Sequence, residues 1–213
     1  MAEKVRCIII CGAPDCDAEL IRETVRPGDF VICADKGFEY AKKAGVGVDL
    51  FVGDFDSFGG EVPDGVEVIK LKVHKDDSDS MHCASVAVER GFKEAVLLCA
   101  VGGRTDHSFS NFCVLGYLES NGVTASIVTK TESVMLLTEG EYSVKNRQGS
   151  TFSLFPFGCD KAVVSYVGSV EYPARNLTLK AFDSLGLSNI FNCNDVSIII
   201  SEGSCLLFIE TDL

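Results

Sequence analysis

The sequence predicts an α/β chain, an N-terminal doubly wound, mostly parallel sheet domain followed by a small C-terminal antiparallel β-sandwich domain. Two patterns carry that reading. Through about residue 131, short β-branched apolar runs alternate with amphipathic stretches. Beyond it, short runs are separated by Gly, Pro, Asn or Asp and no helical period survives. A third observation locates the chemistry. Acidic residues collect just after the predicted strands of the first half, the rim at which open parallel sheets bind ligands.

Residues 5–11, 30–34, 50–52, 66–71, 95–101 and 124–129 read as strands, nearly continuous in apolar character, as a sheet covered on both faces requires. Between them, 15–26, 38–44, 79–90 and 108–121 read as helices. In the last, Phe109, Phe112, Cys113, Gly116 and Tyr117 mark one apolar face at helical spacing. The stretch from Asp76 to Ser80 supplies cap candidates for the third helix, and Gly91 ends it. In the second half, 134–137, 150–155, 162–167, 177–181, 196–200 and 206–210 read as strands. The predicted domains are 1–131 and 132–213.

Composition narrows the partners. The 213 residues include 19 basic and 31 acidic side chains, a net charge of -12. Such a surface repels nucleic acid and anionic membrane, and makes a phosphate-bearing substrate awkward unless a cation intervenes. The apolar run at 7–11 is shorter than the apolar region of a signal peptide, and no stretch reaches the ~18 apolar residues of a membrane span, so a cytoplasmic protein is expected. Most of the ten cysteines sit in apolar runs (Cys7, Cys33, Cys99, Cys113, Cys205), where a reduced thiol packs as a small hydrophobe. Cys7, Cys11 and Cys16 lack zinc-ribbon spacing.

Four predicted strand ends deliver polar groups to one rim: Asp35 after the second, Asp54 and Asp56 after the third, Asp76, Asp77 and Asp79 after the fourth, and Arg104, Asp106 and His107 after the fifth. Any one Asp there can be a turn former or helix cap. Asp54-Phe55-Asp56 is harder to explain that way. In extended backbone the two carboxylates point the same way about 6 Å apart, and repel by about 3 kcal/mol at an effective dielectric of about 20. A shared Mg²⁺ bridging them to phosphate oxygens relieves this. Gly102-Gly103-Arg104 suits a phosphate cradle, with close backbone approach, a forked donor and a helix N-terminus behind it. A Walker loop, a dinucleotide-binding glycine fingerprint and a Gly-x-Ser-x-Gly elbow are all absent from the sequence.

These motifs resemble, in order, those of the thiamin pyrophosphokinase family. They are Ala34-Asp35-Lys36-Gly37-Phe38-Glu39, Gly53-Asp54-Phe55-Asp56-Ser57, His74-Lys75-Asp76-Asp77-Ser78-Asp79 and Gly102-Gly103-Arg104-Thr105-Asp106-His107. Tyr172-Pro173, Asn176 and Ser184-Leu185-Gly186-Leu187-Ser188-Asn189 extend the likeness into the second half. The resemblance implies an α/β catalytic domain followed by a β-sandwich, paired as a homodimer with active sites near the subunit interface. It implies attack of the thiamin hydroxyl on the β-phosphorus of ATP, with AMP leaving. By the same resemblance Asp54, Asp56 and Asp79 hold Mg²⁺ and handle phosphate, and Asp76 and Asp106 assist. Asp35, Gly37, Gly103, Arg104 and His107 border ATP, and Ser188 and Asn189 meet thiamin.

The chain departs from the family pattern at Lys36, Phe38 and Glu39, at His74, mildly at Ser78, and at Ile190. These departures leave the metal-side carboxylates intact and fall on the substrate side. Two alternatives therefore stay open: a diphosphokinase for another primary alcohol, such as a hydroxymethylpterin, and a non-catalytic nucleotide- or Mg²⁺-binding module.

Overall fold

In the computed structural model, residues 6–14, 16–53, 64–71 and 77–211 are described. The chain forms two compact units, Met1–Thr129 and Lys130–Leu213.

The first unit is the predicted doubly wound layer structure. Its strands are β1 (Arg6–Ile10), β2 (Phe30–Ala34), β3 (Leu50–Gly53), β4 (Glu67–Lys70), β5 (Glu94–Leu98) and β6 (Thr124–Val128). They run parallel in the order β4-β3-β2-β1-β5-β6. The helices are α1 (Ala18–Thr24), α2 (Gly37–Ala44), α3 (Asp79–Glu89) and α4 (Thr105–Ser120). On one face Ile8, Ile10, Val31, Cys33, Phe51, Val96 and Leu98 pack against Leu20 and Ile21 of α1 and Phe38, Ala41 and Ala44 of α2. The alternate residues Ile9, Ile32, Leu50 and Leu97 are equally buried, and α3 packs on β1, β2 and β3. Burial on both faces is why these strands read as unbroken apolar runs. β6 is buried only at alternate residues, and the strand that departs furthest is β4. It is a mostly exposed edge strand whose Glu67 pairs with Arg90 at 2.6 Å, and charge on an edge discourages further strand addition.

Each helix start has a local cause. Asp17 accepts the Glu19 N–H at 2.8 Å and opens α1, so that helix begins three residues later than the sequence pattern predicts. Ser78 accepts the Met81 N–H at 3.3 Å and opens α3. At α2 the requirement is steric. A Cβ on Gly37 would overlap the carbonyl of Ile10, so only glycine lets the helix start against the end of β1.

The structure corrects the predicted face of α4. Its buried residues are Asn111, Val114, Leu115 and Leu118, whereas Phe109 is 59% exposed and Cys113 is exposed. The inward stripe is headed by a polar residue, and an apolar count alone selects the wrong side. The cysteine reading is corrected as well. Cys16 and Cys99, 83 residues apart, form a disulfide with Cα atoms 4.8 Å apart, so they are not reduced core thiols. Cys113 lies on the surface rather than in the core, while Cys7, Cys33 and Cys205 are buried as expected, and Cys11 and Cys83 are buried too. Burial pushes the Cys11 thiol up to about 12, leaving it a neutral packing group.

The second unit is all-β. β7 (Glu132–Leu137), β9 (Thr151–Pro156), β12 (Asn189–Ile190) and β14 (Cys205–Glu210) form one antiparallel set in the order β12-β9-β14-β7. β8 (Gly140–Lys145), β10 (Lys161–Val167), β11 (Leu177–Lys180) and β13 (Asp195–Glu202) form a four-stranded antiparallel sheet in the order β11-β10-β13-β8. Between them lies a core containing Phe152, Leu154, Val164, Phe191, Ile198 and Leu207. The sequence reading anticipated six of these strands and missed β8, whose GEYSVK offers few apolar residues, and the two-residue β12.

Because the Gly37 clash is with backbone, a neighbouring rotamer cannot relieve it. Gly37→Ala should lower stability by about 1–3 kcal/mol in urea titration, with the unfolding slope unchanged. Wild-type stability would contradict the close approach of α2 to β1.

Candidate active site

The strand order reverses between β1 and β5, the position at which doubly wound sheets open a crevice. A cavity of about 700 Å³ lies there. Its wall is built from four chain segments. Cys11 to Pro14 follow β1, Ala34 ends β2 and Asp35 and Lys36 follow it, Ser78 to Ser80 open α3, and Ala100, Gly102, Gly103 and Arg104 lead from β5 into α4. His107, Ser110 and Asn111 of α4 complete it.

Backbone pairing carries on past the strand ends and shapes this wall. The Cys11 N–H donates to the Leu98 carbonyl at 2.8 Å and the Ala13 N–H to the Cys99 carbonyl at 2.9 Å. The Asp35 N–H donates to the Val52 carbonyl at 2.9 Å, and Asp35 takes a left-handed φ of 44°, which turns the chain from β2 into α2. Gly102 and Gly103 have φ of 125° and 64°. A Cβ at Gly103 would lie 2.7 Å from Pro14 Cγ, so glycine is needed there both for conformation and for the approach of the Pro14 ring.

Arg104 ends that turn and α4 begins at Thr105, three residues earlier than the sequence pattern predicts. Asp106 and His107 therefore sit in the first helical turn, beside backbone N–H groups that have no intrahelical partner. The Arg104 guanidinium grips Asp106 with both arms, Nε to Oδ1 at 3.1 Å and Nη2 to Oδ2 at 2.6 Å. Those hydrogen bonds hold the Asp106 carboxyl below the usual carboxylate range, which makes it a poor proton acceptor and an effective clamp on Arg104. Both side chains remain mostly exposed.

Of the residues expected to border ATP, Asp35, Gly103, Arg104 and His107 line the cavity, as does Asp79. Gly37 does not, its role being the helix approach already described. Asp106 stands outside the wall, behind Arg104. Asp54, Asp56 and Asp76 lie outside the described residues. Among the described residues no group of three or more metal-ligating side chains occurs. Asp35 and Asp79 are hard carboxylate donors on one cavity wall, the donor type that Mg²⁺ takes, and they fit a site that further carboxylates would complete.

Ser188 and Asn189 belong to the second unit. Ser188 has φ of 57° and its N–H donates to Ser153 Oγ at 3.0 Å. Asn189 is buried, accepts the Tyr172 N–H at 2.9 Å and donates to the Tyr172 carbonyl at 2.9 Å. Its amide therefore fixes the backbone at Tyr172.

Sequence reasoning missed Pro14, Lys36, Ser80 and Asn111 as wall residues. Among the described residues of this unit, Ser80 and Asn111 are buried polar residues. Ser80 Oγ donates to Asn111 Oδ1 at 2.7 Å, and Asn111 Nδ2 donates to the Ala100 carbonyl at 2.6 Å. One amide thus joins the start of α3, which carries Asp79, to the turn that carries Gly102, Gly103 and Arg104. A signal existed. Each residue heads an i, i+3, i+4, i+7 stripe of small or apolar residues, Ser80-Cys83-Ala84-Ala87 and Asn111-Val114-Leu115-Leu118.

The family model "Thiamin pyrophosphokinase, catalytic domain" matches residues 21–127. Among solved structures, thiamine pyrophosphokinase from Bacillus subtilis superposes with a TM-score of 0.86 at 21% identity, covering 98% of this chain and 100% of that one. Thiamin pyrophosphokinase from Geobacillus thermodenitrificans gives 0.83 at 22%, covering 98% of each chain. Thiamin pyrophosphokinase from Candida albicans gives 0.78 at 18%, covering 98% of this chain and 89% of that one. At such identities these structures speak to the fold. No curated protein matches by sequence.

Replacing Asn111 with the isosteric Leu leaves the Ala100 carbonyl and Ser80 hydroxyl without that partner, and should cost about 1–3 kcal/mol. Adding Ser80→Ala should cost less than the two single changes summed. Strict additivity in thermal unfolding would show the pair to be uncoupled.

Proposed function

The chain belongs to the thiamin pyrophosphokinase family, an enzyme family, and on that premise we propose that it moves the pyrophosphoryl group of ATP to the hydroxyl of thiamin, releasing AMP. The observation that carries the reading is the cavity at the β1/β5 reversal, which Asp35 and Asp79 line together with a glycine turn and an arginine.

In this reading the roles follow from the chemistry of the groups. The N–H groups opening α4 and the permissive backbone at Gly102 and Gly103 hold phosphate oxygens, with Arg104 contributing a forked donor. Asp106 orients Arg104, and the Asn111 amide sets the spacing between Asp79 and the glycine turn. Asp54, Asp56 and Asp79 would hold Mg²⁺, with Asp76 nearby in the motif, and the ion supplies charge neutralisation when bound. Transfer through a loose transition state requires in-line alignment and fixed charge more than a strong base, which suits a site where the carboxylate of Asp106, beside the wall, is a weak one. Lys36, in the wall where the family has glycine, adds a cation whose Nζ lies 6.0 Å from the Tyr40 ring centroid.

Ser188 and its neighbours are assigned to thiamin. Tyr172, Phe182, Leu185 and Leu187 are all more than half exposed, and this apolar group supports pairing of the second unit in a homodimer with active sites near the interface. No helix among the described residues is long and apolar enough to cross a membrane.

The deciding experiment is AMP release from Mg²⁺–ATP with and without thiamin. Thiamin-dependent AMP and thiamin diphosphate are expected, and release with a hydroxymethylpterin in place of thiamin would move the acceptor assignment. Asp54→Asn, Asp56→Asn and Asp79→Asn should each lower turnover at least ~100-fold with the fold retained. Arg104→Gln should lower kcat/KM for ATP about 10- to 100-fold. In sedimentation, wild type should run as a dimer and Phe182→Asp/Leu187→Asp as a monomer. A wild-type monomer would remove the dimer assignment.

A further inference from the structure

The nucleotide reading makes no use of the cysteines, yet two of them are joined beside the cavity. Cys16 follows the Gly12, Ala13 and Pro14 wall segment, and Cys99 precedes the Ala100 to Arg104 segment. Their disulfide therefore ties together the two turns that face each other across the β1/β5 reversal. Two noncovalent contacts lie along the same seam: the Ala13 N–H donates to the Cys99 carbonyl at 2.9 Å, and the Pro14 ring covers Gly103. Cys99 itself takes a left-handed φ of 53°, so it stands at the point where β5 turns into the glycine segment.

The two sulfurs differ in access. Cys99 is 8% exposed and packs in the core under α1 and α2, whereas Cys16 is half-buried at the margin of that core. The other cysteines of this unit are not joined in a disulfide. Cys7, Cys11, Cys33 and Cys83 are buried, and Cys113 is a surface residue of α4. At this pair a solution oxidant meets one accessible sulfur with one buried partner behind it, the arrangement of an attacking and a resolving thiol, whereas Cys113 has no cysteine bonded to it.

We propose that Cys16 and Cys99 form a reversible thiol–disulfide modification site that sets the nucleotide affinity of the cavity, an inference that rests on the assignment of that cavity to ATP. The oxidant is a low-molecular-weight disulfide. The Cys16 thiolate attacks one of its sulfurs and releases one small thiol. The Cys99 thiolate then attacks Cys16 Sγ, forming the protein disulfide and releasing the second small thiol. The protein loses two electrons and two protons, and the small disulfide gains both as it becomes two thiols. With the bond closed, the Pro14 and Gly103 turns are held in place before ligand arrives, and less ordering accompanies binding. With it open, the turns are held by the hydrogen bond and the ring contact alone. Linkage makes the effect reciprocal, so bound nucleotide protects the disulfide from reduction by the same factor.

The test uses the full chain treated with oxidised glutathione or with a phosphine reductant, then freed of reagent. Alkylation and mass mapping should find two more reactive thiols in the reduced protein, on the peptides bearing Cys16 and Cys99. Titration with Mg²⁺–ATP should give a Kd about fivefold or more higher for the reduced form. Cys16→Ser and Cys99→Ser should each bind like the reduced form and ignore both reagents. Cys16→Ala, at the more accessible position, serves if Cys99→Ser fails to fold. Equal thiol counts in the two preparations, or equal affinity with the disulfide shown to be closed in one and open in the other, overturns the proposal and leaves the enzyme assignment standing. Failure of both forms to bind Mg²⁺–ATP overturns the nucleotide assignment, and this proposal with it.

Discussion

The first unit depends on the backbone ladder that holds β1 between β2 and β5. Ile8 pairs with Val31 on one side and with Val96 on the other, and the strand is buried on both faces. No water reaches those amides, so every donor and acceptor must be met by a neighbouring strand. Pairing does not stop where the strands end, because Cys11 and Ala13 still donate to Leu98 and Cys99. Two chains kept in step that far must then part, one toward α1 and the other toward α4. The cavity is the space left by their parting, and its polar wall consists of the residues that make the turns.

Much of this was legible from residues alone. A strand buried on both faces announces itself by unbroken apolar character, and β1, β2, β3 and β5 do so. Asp35, Asp79, Gly103, Arg104 and His107, singled out by strand-end motifs, line one cavity. What stayed hidden was tertiary in origin. Asn111 is polar in sequence and buried in the fold because the Ala100 carbonyl and Ser80 hydroxyl satisfy it, and its presence made the exposed stripe of α4 look like the buried one. The Cys16–Cys99 bond links positions far apart in sequence, one in a turn and one at the end of an apolar strand, and neither context betrays a partner. β8 and β12 carry too few apolar residues for periodicity to register.

The second unit shows the same contrast between motif and role. Asn189 belongs to a sequence motif associated with ligand contact, yet its amide is spent on both backbone groups of Tyr172. Phe152 stacks on Phe191 with ring centroids 4.2 Å apart, anchoring both ends of this segment's neighbourhood in the core. Ser188, held at positive φ by its N–H bond to Ser153, is thereby displayed on a rigid support. Motif residues thus divide between those offered to solvent and those that hold the offering in place.

The Arg104–Asp106 pair has a final consequence. A guanidinium already chelated by its own carboxylate presents nearly no net charge to the solvent, so a small monovalent anion gains little by approaching it. An anion must outbid Asp106 for the fork, and a polyphosphate carrying several charges is equipped to do so. Both side chains are mostly exposed, so the pair holds the fork in a fixed orientation at little cost in free energy and can exchange Asp106 for another acceptor.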